Sequence, residues 1–334
     1  MNSYYIKRTL RSVVTLWIVV TLTFGMIRLL PGGPLVQLRA QLIRQGVDPS
    51  EINGIIESYQ NLRPDQPLYI QYFDYVSSLL TGDLGESIRY GEPVAALVGD
   101  ALPWTVFVMV TATVIMYALG ILWGAVMAYK EGSTFDTVSS ALSILFSTVP
   151  FYVFAIFLVI IFGYQLEWFP TRGRTSVGAQ NPYTLGFVID VVRHAVLPIM
   201  SIIVTQVGLQ ALAMRGNSIQ LLGEDYVRVA RLRGLADGRI ATRYVGRNAI
   251  LPMYTGFLTL IGFNIGGSVI LEEVFTYPGI GYYMFKALEG RDYPLMMAVF
   301  LVITSVLVVA LFVADLTYSK IDPRVQTGDS SEAY

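Results

Sequence analysis

The chain has 334 residues and no cysteine, which excludes disulfides, thiolate zinc sites and iron–sulfur clusters. Its one histidine, His194, leaves no imidazole metal centre and no second histidine for a dyad. No lysine follows a glycine anywhere, so the phosphate-cradling G-x-x-x-x-G-K-[ST] loop is missing. G-x-S-x-G and H-E-x-x-H are missing too. Charge is scarce, at 14% of residues against 54% hydrophobic. The apolar stretches hold no cluster of acids such as a proton relay needs at membrane depth. The sequence thus carries no recognisable engine of its own.

What it has instead is long apolar runs. Six of them, Leu10–Leu30, Leu102–Ala128, Leu142–Gly163, Ala195–Met214, Leu251–Leu271 and Pro294–Leu316, approach the ~20 residues that a helix needs to cross ~30 Å of hydrocarbon. Lipid offers no partner to free backbone groups and the runs lack the alternation of barrel strands, so helices are expected. The fold class read from this is all-α integral membrane, with six transmembrane helices. The first run follows Lys7, Arg8 and Arg11 as a signal peptide would. It lacks a small-residue cleavage site, so a retained helix is expected.

Six spans put both termini on one face. That face carries 13 Lys/Arg against 9 on the other, or 13 against 5 once the long first loop is discounted. The N- and C-termini are therefore expected in the cytoplasm, with the chain in the cell membrane. The expected organisation is a first helix over 1–30, an external loop domain with short helices over 31–93, a membrane-spanning domain over 94–315 and a cytoplasmic tail over 316–334. The external loop contains "PLVQLRAQLI" and "PLYIQYFDYVSSLL", which read as short helices. It is acidic, and suits either a solvated cap or a platform for a soluble partner.

Polar residues within the spans are mostly neutral. Gln206 and Gln210 share a helix face, and with Asn264 and Ser147 they are candidates for a translocation path, although hydrogen-bonding between helices is the plainer role for each. Gly262, Gly266, Gly267 and Ser268 would admit a neighbouring helix closely. Before the last span, "TYPGIGYYMFKALEGRDYP" breaks helix at Pro278, Gly279 and Gly281. Tyr277, Pro278, Gly279, Gly281, Arg291 and Asp292 are candidates to line an external cavity, or else belong to a wet loop with aromatic interface anchors.

Seven of the 19 arginines fall between Arg215 and Arg247. Within that loop, 215–248, "EDYVRVARLRGL" reads as a short helix. Glu224 and Asp225 sit at its positive end, Arg231 and Arg233 at its negative end, and Gly234 at its terminus. A second short helix is expected after breaks at Gly234 and Gly238. Val227, Ala230 and Gly234 recur at helical spacing, giving a small-residue face for a partner to press against. A positive loop facing anionic lipid would explain the charge alone; a helix that docks in a groove of a cytoplasmic protein explains the acids and the small face as well.

"EDYVRVARLRGLADGRIATRYVGRNAILP" resembles the cytoplasmic EAA loop of ATP-binding-cassette importer permeases, in the form of the dipeptide/oligopeptide/nickel family. "YYIKRTLRSVVTLWIVVTLTFGMIRLLPGGP", "LRPDQPLYIQYFDYVSSLLTGDLGESIRYGEPV" and "EEVFTYPGIGYYMFKALEGRDYPL…DLTYSKIDPRV" are similar to that family's first permease subunit, in order and over nearly the whole chain. Arg228, Val229 and Ala230 stand where the general pattern has Glu-Ala-Ala. Tyr244 and Gly246 depart from the subgroup's usual "RHALRN", and are expected to loosen the second short helix.

The resemblance implies the type I importer permease fold with a cytoplasmic coupling helix, and a transport subunit rather than an enzyme. It implies a second homologous permease, two cytoplasmic ATPases that hold ATP and Mg, and an extracytoplasmic binding protein. Lipid surrounds the chain, and no cofactor, metal or nucleic acid is expected on it. Coupling would fall to Glu224, Tyr226, Val227, Arg228, Ala230, Arg231, Gly234 and Leu235. Di- or oligopeptides are the expected cargo, with oligosaccharides and nickel as alternatives. Two other classes, a self-sufficient secondary transporter or channel and a membrane-embedded enzyme, would need intramembrane acids, repeats or a nucleophile with its base, none of which the sequence displays.

Overall fold

The computed structural model describes residues 2–29, 39, 42–44, 46–48, 51–52, 66–176, 178, 184–265 and 268–321. Every extended element among them is helical: α1 Asn2–Leu29, α2 Leu68–Leu80, α3 Val94–Tyr129, α4 Thr134–Thr148, α5 Phe151–Leu158, α6 Leu185–Leu222, α7 Asp225–Leu232, α8 Arg247–Ile265, α9 Val269–Val274, α10 Ile280–Gly290 and α11 Tyr293–Ile321. Helix α5 continues as a π-helical stretch, Val159–Gln165, and a second such stretch, Ile240–Gly246, leads into α8. The "PLVQLRAQLI" piece lies largely, and Gly266, Gly267 and the tail after Ile321 wholly, outside the described residues.

Among the described residues four helices are long and apolar enough to cross a membrane, within α1, α3, α6 and α11, and α4 with α5 and its π-helical continuation makes a fifth if taken as one span. That third expected span is not the straight rod its apolar run suggested. The chain bends by 91° between Thr148 and Phe151. Pro150 lacks an N–H and drives Val149 out of the helical region, to φ −83° and ψ 122°. The fifth expected span is also not one helix through its run: α8 is described as far as Ile265, and Ser268, in extended conformation, caps a new short helix by accepting the Leu271 N–H.

The chain divides into two compact units. The first is Met1–Val106 with Ile265–Phe312. Its core sets Val94, Leu97, Val98 and Ala101 of α3 against Ile280 and Ala287 of α10 and Leu295, Ala298 and Val299 of α11. Phe24 stacks on Tyr75 of α2, with Tyr293 and Met297 in the same cluster. Two carboxylates organise this unit. Asp292, fully buried, accepts the Leu295 N–H at the start of α11, the Ser87 hydroxyl at 2.5 Å and the Arg89 N–H at 3.0 Å. The "GDLGES" run is thereby pinned to the last helix. Glu272, 3% exposed, accepts the Thr105 hydroxyl at 2.8 Å and the Tyr282 N–H at 2.9 Å, while Thr105 Oγ1 accepts the Ile280 N–H at 2.8 Å.

The second unit is Phe107–Asn264 with Val313–Tyr334. Its helices meet at glycines. A Cβ on Gly124 of α3 would collide with the Ala211 carbonyl of α6, and one on Gly208 of α6 would lie 2.6 Å from Ser143 Cα of α4. Gly120 and Gly124 are four apart, so they form the small-xxx-small pattern that allows close helix crossing. Asn264 Nδ2 donates to Thr113 Oγ1 at 2.9 Å, a neutral bond between α8 and α3.

Candidate functional site

Helix α6 carries the chain from its apolar stretch into the arginine-rich loop. At 38 residues it is about 57 Å long, well beyond the ~30 Å of hydrocarbon. It ends at Gly223, and α7 begins at once: the Glu224 carbonyl accepts from Val227 and Arg228, with Asp225 in the first turn and Arg231 in the last. At its other end the Leu235 N–H reaches the Ala230 carbonyl and the Gly234 N–H reaches that of Arg231. Gly234 has φ +70°, and this six-to-one pairing closes the helix as the sequence suggested.

The faces of α7 are the reverse of what the small-residue stripe suggested. Val227 and Ala230 are buried at 0% and 2% exposure, on Ile240 and Val245, with Leu221, Leu222, Leu235 and Tyr244 around them. This corrects the expectation that a partner presses on Val227, Ala230 and Gly234: the first two pack against the chain itself. Gly234 is exposed and has open space around it, so its role is backbone conformation. The outward face carries Arg228, Val229, Arg231 and Leu232, the last 83% exposed. Among the described residues neither Arg228 nor Arg231 makes an ion pair, and an exposed leucine between arginines is the composition of an interface centre with a charged rim.

The expected second short helix is a single turn, Asp237–Arg239, that runs through the π-helical stretch into α8. Gly238 lies inside that turn and breaks nothing. The Tyr226 hydroxyl reaches the Tyr244 carbonyl at 3.4 Å, and Asn248 Nδ2 donates to that same carbonyl at 2.9 Å. At the root of the loop, Arg215 forks onto Asp136 at 2.5 and 2.7 Å. Asp136, 4% exposed in its side chain, also accepts the Gly132 N–H at 3.0 Å. The bidentate fork fixes direction as well as distance, and Asn217 Nδ2 adds a bond to the Ala249 carbonyl. A push on α7 therefore meets a packed base tied to α4 and α8. The sequence reading missed the Asp136–Arg215 pair, and Ser133, which caps Asp136 three residues ahead, was its only local signal. It also missed the Gly120–Gly124 pattern, which spacing alone could have shown.

The remaining candidates scatter. Gln206 and Gln210 are half-buried on α6, with Gln210 packed against Gly120. Ser147 bonds back to the Ile144 carbonyl of its own helix, and Asn264 is spent on Thr113. In the first unit, Tyr277, Gly279, Gly281 and Asp292 are buried within the chain itself, Pro278 is half-buried, and only Arg291 is exposed. The segment thus serves its own packing first: a Cβ on Gly281 would lie 2.8 Å from the Val269 nitrogen. This corrects the expectation that the set lines an open cavity. His194 is buried, with Nδ1 2.8 Å from the Asp190 carbonyl, in keeping with a satisfied polar residue.

Comparison with known proteins gives this geometry a setting. Residues 120–327 match the family described as binding-protein-dependent transport system inner membrane component. The chain is 30% identical to the oligopeptide transport system permease protein AppB of Bacillus subtilis (strain 168), over 98% of this chain and 100% of the relative. It is 31% identical to the di/tripeptide transport system permease protein DppB of Pseudomonas aeruginosa (strain UCBPP-PA14), over 98% and 99%. The dipeptide transport system permease protein DppB of Bacillus subtilis (strain 168) is 29% identical over 98% of each. A helical, multi-pass membrane chain whose sequence matches these relatives over nearly its whole length is a transport permease subunit; it belongs to the family of binding-protein-dependent transport system inner membrane components.

Proposed function

We propose that this chain is one of two permeases enclosing the path of an ATP-driven importer of di- or oligopeptides. An external binding protein delivers the peptide, and two cytoplasmic ATPases supply the work. Peptide cargo is carried over from the relatives. The six-span count, with both termini and the 215–248 loop in the cytoplasm, rests on the apolar runs and on the Lys/Arg asymmetry.

The observation that carries the coupling role is the exposed Arg228–Val229–Arg231–Leu232 face of α7 on its packed base. Leu232 would enter an apolar groove on the ATPase, with Arg228 and Arg231 against acids at its rim, while Glu224 and Leu235 close the two ends of the helix and Tyr226 ties it to Tyr244. When the ATPases close, α7 would move as a rigid body and carry α6 and α4 with it through Arg215–Asp136. Gln206, Gln210, Asn264 and Ser147 remain the proposed polar groups of the path.

Because the chain has no cysteine, single-cysteine chemistry tests this directly. In the assembled transporter, Leu232→Cys should cross-link to an ATPase subunit and Ala230→Cys should not. Cross-linking from Ala230→Cys with none from Leu232→Cys would overturn the assignment of faces. Lipid adducts alone from both would overturn the docking role itself.

A further inference from the structure

At the end of α6 far from the arginine-rich loop, the second unit folds into a hollow. Arg193 and Leu222 are 29 residues apart on one helix, about 44 Å at 1.5 Å per residue, so on the six-span reading proposed above the two lie at opposite faces of the membrane. The hollow has a volume of ≈350 Å³ and is lined by Tyr164, Glu167, Phe169, Thr171, Asp190 and Arg193 among others.

Three features of local structure build it. The π-helical Val159–Gln165 ends in a fold-back, in which the Phe162 carbonyl accepts the N–H groups of both Trp168 (2.9 Å) and Phe169 (3.2 Å). Gly163 leaves room for the returning Thr171 side chain, with which any Cβ would collide. Glu167 sits at φ +54°, a left-handed conformation that is strained for a residue other than glycine. Strain of this kind and π-turns both gather at sites that bind something.

The charges in the hollow are not equivalent. Both oxygens of Asp190 are taken, one by the Ser176 N–H at 2.6 Å and the other by its hydroxyl at 2.7 Å. Asp190 therefore closes the wall. Arg193 spends one donor on the Trp168 carbonyl at 3.1 Å and, among the described residues, keeps the rest of its fork. Glu167, on the strained residue, has no hydrogen-bond or ion-pair partner among the described residues. One small concavity thus offers an uncommitted anion, a guanidinium with donors to spare, and the aromatic walls of Tyr164 and Phe169.

We infer that this hollow is a subsite for the charged ends of a short peptide, Glu167 taking the α-ammonium group and Arg193 the carboxylate. The inference rests on the peptide-importer reading above and gives it a place where the permease itself reads the cargo. Carboxylates suit the planar fork of arginine, and a site built to pair charges rejects a ligand that lacks one. A neutral sugar would leave both groups unpaired.

The test uses the complete transporter with its binding protein in proteoliposomes, and compares uptake of Ala-Ala, N-acetyl-Ala-Ala and Ala-Ala amide. With one binding protein throughout, Glu167→Gln should lower Ala-Ala uptake severalfold while leaving N-acetyl-Ala-Ala uptake unchanged. Arg193→Gln should do the same with respect to the amide, and Arg193→Lys should fall between, since it keeps the charge but loses the fork. Melting temperature and size-exclusion profile guard against misfolding. Wild-type uptake of Ala-Ala with unaltered selectivity in folded variants overturns the subsite and leaves the importer reading standing. No uptake of any peptide by the wild-type complex, with uptake of an oligosaccharide or of nickel, overturns both.

Discussion

Glu272 offers a test in which the pH dependence can be worked from the structure. It is almost wholly buried, and that burial pushes its carboxyl up to about 7 from 4.5, against hydrogen bonds from the Tyr282 N–H, the Thr105 hydroxyl and the Gly281 N–H that pull it down. A carboxyl whose pKa is raised on folding stabilises the folded form fully below about pH 4.5. That contribution is lost as the pH rises toward 7. Between pH 5 and pH 8 the opening equilibrium of the segment held by Glu272 should shift roughly seventyfold toward the open form, or about 2–3 kcal/mol. Lys286 does not interfere in this window, because its ion pair with Glu273 at 2.8 Å raises its pKa further above 10.5. Glu272→Gln removes the titration while keeping the side chain's shape, at the loss of one of these hydrogen bonds, about 1 kcal/mol at every pH. Amide hydrogen exchange of the Thr276–Gly290 peptide, corrected for intrinsic rate, is the assay. Wild-type protection of Ile280 and Tyr282 should fall across that range, and that of the variant should stay level. Equal slopes for the two proteins would refute the reasoning.

Two other carboxylates lead to expectations of a different kind. Arg215→Ala leaves Asp136 buried without its counter-charge, which should cost about 3 kcal/mol, the low end for a broken buried pair since Arg215 is 28% exposed; Asp136→Asn combined with Arg215→Gln should recover part of it in a thermal-unfolding series. Asp292→Ala removes the cap of α11 and the acceptor of Ser87 and Arg89 together, and should cost about 2–3 kcal/mol, read as faster proteolysis within residues 83–91 while α7 stays protected.

The sequence by itself determined the class of the protein. Runs of ~20 apolar residues admit one answer in lipid, helices. It also placed α7, since acids at the start, arginines at the end and a closing glycine are local signals that need no tertiary partner. Even the bend at Pro150 was written locally, although an apolar run read only by its length hid it.

Only the tertiary structure decided which way each face turned. A stripe of small residues allows close approach but does not say to whom, and Val227 and Ala230 found Ile240 and Val245 of their own chain before any partner. Asp292 and Glu272 looked like loop acids because their partners, Ser87 and Thr105, lie 205 and 167 residues away. Arg215 looked like one positive-inside charge among seven until Asp136 came within 2.5 Å of it. Propensity, capping and hydropathy act within a few turns of chain and can be read in order. Burial, pairing and the shape of a hollow are set by groups that meet only when the helices pack.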